Sequence, residues 1–244
     1  MTDLITARQF HASQGVEEWR VIGDGACAFF RTGSFGEATR LVTAIGQLAG
    51  IEEHQPDIDV RHDGVTVRLI TITDDCYGMS ARDVDLARQI SAAARGLGLV
   101  GDPSAVQSLL VIPGAPLVAD VMPFWRAVLG YESRGDSPDE DLVDLHMRGP
   151  AFWFERMDEP RPDGGGAIHV AIWVPYEQAG SYRGGARRRR PHGARRVRAR
   201  VVDAGRRGGQ RGRHRHRHEP RLSGECCGGF QTAGGDVACP TPFE

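Results

Sequence analysis

Twice within the first hundred residues, two short apolar runs meet at a tight Gly/Asp turn and are followed by one capped amphipathic stretch. Trp19, Val21 and Ile22 lead into Gly23-Asp24-Gly25 and Ala26 to Arg31 lead out, a pattern that predicts a β-hairpin. Ser34, with Glu37 three residues on, forms a capping box. Phe35, Ala38, Leu41, Val42, Ile45 and Leu48 then recur at helical spacing, and Gly50 is placed to end the helix. The order then repeats. Residues 57–62 alternate polar and apolar, Asp63-Gly64 turns the chain, and Val65, Val67, Leu69 and Ile72 form the return strand. A second helix is predicted from Ser80 to Leu97, capped by Ser80 with Asp83 three residues later. Its buried side is Val84, Leu86, Ala87, Ile90, Ala94 and Leu97. A short helix over residues 5–13, capped by Thr2 or Asp3, precedes the set. Hairpin, helix, hairpin, helix leaves few solutions, and the reading is α+β. Residues 1–100 form an antiparallel four-stranded sheet with helices on one face.

A Gly/Pro-bearing linker, 98–104, separates this unit from a second. There the pattern is a strand at Ser108–Ile112, a helix at Leu117–Leu129, strands at Leu142–Met147 and Ala151–Arg156, and a strand at Ile168–Val174. That is one βαβββ unit, placed at 106–179. From Gly180 to 244 the periodicity stops. Sixteen arginines stand there against five acids, whereas the preceding 179 residues hold fourteen arginines and 27 acids. Such an Arg/Gly-rich tail lacks the apolar surface to offset chain entropy and is expected to be disordered.

Three readings of the tail compete. It is an arginine-rich nucleic-acid arm, or a metal site built from His214, His216, His218, Cys226 and Cys227, or an out-of-frame translation of G/C-rich DNA. The last is favoured, so a nucleic-acid partner is not expected. All thirty basic residues of the chain are arginine, as a G/C-rich gene dictates, and the break falls just after a strand and Pro175–Ala179, where a helix should begin. Five cysteines without paired spacing argue against a disulfide framework. No apolar run approaches the length of a membrane span, and the N-terminus has no leader pattern. The expectation is a cytoplasmic protein with no membrane partner.

Chemistry-bearing residues gather at two junctions. Glu52-Glu53-His54-Gln55-Pro56 closes the first long helix, and Pro56 holds Gln55 extended. Thr73-Asp74-Asp75-Cys76-Tyr77-Gly78-Met79-Ser80 opens the last one. Both can meet at one end of the sheet. His54 suits proton transfer near neutral pH, Asp74 and Asp75 can orient it or act with it, and the helix start after Ser80 can hold an anion or a carbonyl oxygen. The plainer alternative is that the aspartates serve the turn and helix dipole, and that His54 is an ordinary surface or core histidine.

Residues 15–97 resemble pterin-4a-carbinolamine dehydratases. In that family His-His-Pro follows the first long helix, a strand hairpin comes next, and Thr-His-x-Cys-x-Gly-Leu-Ser-x-Arg-Asp opens the last helix. His54 and Pro56 match the first His and the Pro; Cys76, Gly78, Ser80, Arg82 and Asp83 match the later segment; Gln55 and Asp74 stand where the family has histidines. The resemblance implies dehydration of 4a-hydroxytetrahydrobiopterin to the quinonoid dihydropterin. His54 and Asp74 would be the catalytic acid/base groups, and Glu53, Gln55, Pro56, Asp75 and Ser80 the substrate contacts. It also implies that no cofactor is required, pterin being the substrate, and that the chain forms a homo-oligomer. The alternatives are a non-catalytic pterin-binding or dimerisation module, or a glyoxalase-like metalloenzyme centred on residues 106–178. Residues 106–178, with Phe124 to Glu132 reading as an aromatic helix followed by Leu-Gly-Tyr, are similar to a glyoxalase-like (vicinal oxygen chelate) module, here partial. Its metal-binding members imply Gln107, Glu155 and His169 as candidate ligands. Such sites combine two βαβββ units and only one is visible, so no metal is assigned.

Overall fold

The computed structural model describes residues 4–73, 76–157, 168–188, 196–203 and 236–238; at Cys76 and beyond Tyr182 the backbone alone is described. The elements run β1 (Leu4–Ile5), α1 (Ala7–His11), β2 (Arg20–Ile22), β3 (Gly25–Arg31), α2 (Phe35–Gly46), β4 (Asp57–Arg61), β5 (Gly64–Leu69), β6 (Thr71–Thr73), β7 (Cys76–Ser80) and α3 (Ala81–Gly96). Then come β8 (Ser108–Ala115), α4 (Val118–Leu129), β9 (Glu132–Ser133), β10 (Asp141–Val143), β11 (Ala151–Trp153), β12 (Glu155–Arg156), β13 (Ile168–Val174), α5 (Tyr176–Arg188), β14 (Arg196–Asp203) and β15 (Asp236–Ala238). The α+β class and the four-stranded sheet stand.

That sheet has the order β2-β3-β5-β4 and every pairing in it is antiparallel. Alternation aims Ala26, Ala28 and Phe30 of β3, and Val65, Val67 and Leu69 of β5, into one core. Leu41 and Ile45 of α2 and Leu86, Ala87 and Ile90 of α3 close over it. Trp19 lies at its centre, fully buried, and its indole N–H donates to Ser91 Oγ at 2.9 Å. A buried Trp with its one donor satisfied brings its full apolar area to the core without an orphaned polar atom. The Asp63-Gly64 turn depends on glycine, because a Cβ at Gly64 would run into the Phe29 ring.

Local details differ from the sequence reading in ways that matter for the site. The first helix is capped by Thr6, in a box with Gln9, rather than by Thr2 or Asp3. α2 ends at Gly46, and the chain continues in successive tight turns through Gly50, which has a φ of +76°. Phe35 and Leu97 are exposed rather than core. The expected return strand breaks at Ile70: β5 stops at Leu69 and Ile72 belongs to a separate three-stranded sheet, β1-β7-β6. Ile72 stands out of step with Val65, Val67 and Leu69, so the period-2 phase that keeps Thr71 buried leaves Ile72 exposed.

The second unit keeps the expected strand, helix and following strands, but a two-residue β9 precedes β10, β10 spans Asp141–Val143 rather than Leu142–Met147, and the strand expected at Ala151–Arg156 is split into β11 and β12. Its sheet runs β15-β14-β13-β8-β11-β10-β9, with β12 also pairing β8. Met122 of α4 packs on Tyr131, Leu142, Phe152 and Phe154. Gly130, in the left-handed conformation at φ 65°, ends α4, and the following Tyr131 enters that core. The expected break at residue 180 is not a break in secondary structure. α5 passes through it to Arg188, and β14 lies parallel to β13. Within the tail expected to be disordered, β14 and β15 are paired strands. His214, His216, His218, Cys226 and Cys227 lie outside the described residues.

Candidate functional site

The turns after α2 bring His54 to the N-terminal end of α3. His54 Nε2 is 2.9 Å from Asp83 Oδ1, and the imidazole is mostly buried while the carboxylate is fully so. The other oxygen, Asp83 Oδ2, accepts from the Ser80 backbone N–H at 2.6 Å, from Thr71 Oγ1 at 2.7 Å and from Ser80 Oγ at 3.1 Å. Thr71 and Ser80 hydroxyls also meet at 2.7 Å. One side chain therefore does two jobs: through Oδ2 it caps α3, and through Oδ1 it holds His54.

A buried carboxylate needs this many donors, because an uncompensated charge there would cost several kcal/mol. An ionised carboxylate only accepts, so His54 Nε2 carries the hydrogen and Nδ1 keeps the lone pair. An imidazole fixed in one tautomer by a buried carboxylate is equipped to take a proton at Nδ1 and to return it.

His54 lines an open groove of about 280 Å³ with Ala49, Gly50, Glu53, Arg82, Asp85, Leu86 and Gln89. The groove offers carboxylates, a guanidinium and an amide around an apolar patch, enough for a small polar heterocycle.

The sequence candidates divide. His54 and Glu53 line the groove. Gln55 turns its amide to Glu52 Oε2 at 3.2 Å on the exposed side, and neither it nor Pro56 is among the lining residues. Ser80, read as a substrate contact, is only 1% exposed, and its hydroxyl is engaged with Thr71 and Asp83; it builds the site from behind. Asp74 and Asp75 lie outside the described residues. Sequence reasoning passed over Thr71, Asp85 and Gln89, and it gave Arg82 no role beyond a motif match. It read Asp83 as a helix cap and a motif match, and the spacing of the cap carries no sign of the second partner.

In the second unit the three metal candidates do not converge. His169 Nδ1 and Glu155 Oε2 stand 3.7 Å apart on β13 and β12, which both pair with β8, and both are partly exposed. Gln107 is elsewhere: Ile112 is the partner of His169 and Ser108 the partner of Trp173, which puts Gln107 about 17 Å along the β8 strand from that pair. Its side-chain oxygen instead accepts from Tyr182 Oη at 3.1 Å. Among the described residues no group of three His, Cys, Asp or Glu is placed to hold a metal ion. No described helix is long and apolar enough to cross a membrane.

Comparison with known proteins finds the same two units. The family model for pterin 4 alpha carbinolamine dehydratase matches residues 3–93, and the model for a glyoxalase-like domain matches residues 110–216, past the boundary expected at 179. A protein of Nocardia farcinica (strain IFM 10152), provisionally named a pterin-4-alpha-carbinolamine dehydratase, is 37% identical over 95 residues, which are 38% of this chain and 98% of that protein. One of Thermomicrobium roseum with the same provisional name is 31% identical over 81 residues, 33% of this chain and 85% of its own. The family-model match and the near-complete coverage of such short relatives place this chain, through its first domain, in the pterin-4a-carbinolamine dehydratase family, with a glyoxalase-like domain after it.

Proposed function

We propose that the groove at His54 dehydrates 4a-hydroxytetrahydropterin, such as 4a-hydroxytetrahydrobiopterin, to the quinonoid dihydropterin. The reaction removes the C4a hydroxyl with a proton as water and the proton from N5, leaving a C4a=N5 double bond. It needs a base and an acid beside a flat ring, and no redox partner. His54 Nδ1 takes the N5 proton, and the imidazolium so formed is stabilised across the ring by Asp83. The same imidazolium, or the carboxyl group of Asp74, returns a proton to the departing hydroxyl. Glu53, Arg82 and Gln89 supply hydrogen bonds to the edges of the heterocycle. Gln55 has no ionisable group and takes no proton.

The observation that carries this reading is the single buried carboxylate behind a groove-lining imidazole. Burial of both groups and the shared cap at Ser80 fix the tautomer at no expense in mobility at the moment of reaction.

Stopped-flow mixing of enzymatically generated carbinolamine with the full chain tests it. The expected result is decay of the carbinolamine faster than in buffer, saturable in pterin. Saturable quenching of a dihydropterin's fluorescence without any acceleration would instead support a pterin-binding module that does not turn over.

A further inference from the structure

The β6–β7 hairpin is a small structure with a large responsibility. Its two ends supply Thr71 and Ser80, which hold the Asp83 carboxylate behind His54. Yet it stands apart from the four-stranded sheet, and among the described residues its one other strand partner is the two-residue β1, through Leu4–Ser80 and Ile5–Met79. A three-stranded ribbon with strands of two, three and five residues has little stability of its own. Its middle residue, Tyr77, opposite Ile72, is gripped from two sides. Arg68 of β5 interacts electrostatically with its phenol group. Arg134, from the second domain, lies over the ring with its guanidinium carbon 3.8 Å from the centroid.

Arg134 is itself immobilised. It is 6% exposed, makes a two-pronged pair with Asp136 at 2.6 and 3.0 Å, and reaches Asp24 of the first domain's β2–β3 turn at 2.7 Å. A planar fork held by carboxylates and stacked on an aromatic face is a rigid clasp, and lysine cannot reproduce it. Arg20 and Glu177, 2.9 Å apart, make a second ion pair between the domains.

We infer that Arg134 of the glyoxalase-like domain is a positioning residue for the dehydratase site, acting through Tyr77 and the β6–β7 hairpin on Asp83 and His54. The second domain is then a brace for the first domain's chemistry. This inference rests on the dehydratase reading for its activity readout only; its structural readout stands without it.

The test uses the full chain with Arg134→Ala, Arg134→Lys, Tyr77→Leu and, as a control, His54→Ala. Tyr77→Leu removes the ring and leaves Arg134 paired with its carboxylates, so it serves if Arg134→Ala fails to fold. Two quantities are read: kcat and KM for carbinolamine dehydration, and hydrogen exchange of the amides at 76–80, among them the Ser80 N–H bound to Asp83. Arg134→Ala and Tyr77→Leu are expected to lower kcat about tenfold with KM within twofold, and to speed exchange at 76–80 about tenfold. Arg134→Lys is expected to recover part of both. Wild-type kcat in both variants, beside a strong loss in His54→Ala, overturns the inference and leaves the dehydratase reading intact. If His54→Ala leaves the rate unchanged, the dehydratase reading falls, and exchange at 76–80 alone decides: acceleration upholds the coupling and wild-type exchange ends it.

Discussion

The first domain and the second each set a histidine beside a carboxylate, and only one of the two pairs is built. His54 and Asp83 meet at 2.9 Å with the carboxylate wholly buried and its second oxygen taken by Ser80 and Thr71. His169 and Glu155 stand at 3.7 Å, both open to solvent, with the third expected ligand, Gln107, at the other end of the strand. The residue types are alike; the difference is what stands behind them. A buried carboxylate with filled acceptor sites fixes an imidazole's tautomer and direction, whereas solvent screens a partly exposed pair at 3.7 Å.

Several substitutions sharpen or break that contrast. After loss of the imidazole itself, the largest effect belongs to Asp83→Ala. It should unseat His54 and uncap α3 together, lowering kcat/KM for carbinolamine dehydration by about 100-fold and stability by about 3 kcal/mol. Stopped-flow rates and urea unfolding read the two parts. Ser80→Ala removes one hydroxyl from behind the carboxylate and keeps the backbone donor, so urea unfolding should register about 1 kcal/mol. A pH effect of moderate size comes from the domain boundary. Cys27 packs against Ile22, Phe29 and Val106, and burial pushes its thiol up to about 11 from an ordinary 9.0. The unfolded chain ionises first, so stability is full below pH 9 and falls as pH rises from 9 towards 11. A Cys27→Ala variant should lose that slope in denaturant titrations at pH 8, 9.5 and 10.5. The smallest effect is predicted for Glu155→Ala, within about 0.5 kcal/mol of wild type and without change in dehydration rate. A larger loss would mean that the second pair is built after all.

Much of the first domain was legible because hydrophobic period, turn chemistry and caps agree there. Gly23-Asp24-Gly25, Asp63-Gly64 and Ser80 fell where the sequence reading placed them. His54 was legible by its place before Pro56. Its partner was not: Asp83 has a sufficient local role at the third position of a helix, and nothing local reports a contact 29 residues away. Ser80 was assigned to substrate because helix starts bind anions, but an N-cap that is fully engaged and buried has no face left for a ligand. The strand break at Ile70 escaped a reading by alternation, since Thr71 and Ile72 continue a β-branched run. In the second domain the strand order was visible and the register was not. Register decides which strand residues share an end, and it separates Gln107 from His169. The composition break at 180 was read as the end of structure, whereas α5 crosses it. The out-of-frame origin proposed for residues 180–244 is settled by the nucleotide sequence around codon 179: a helix-and-strand pattern restored in another frame upholds it.

The account rests on the imidazole that the buried carboxylate holds. Its most direct test is kcat/KM for carbinolamine dehydration by His54→Ala beside His169→Ala. The prediction is a loss of 100-fold or more, on the order of general acid–base catalysis, in His54→Ala and wild-type activity in His169→Ala. Equal rates in wild type and His54→Ala would contradict it.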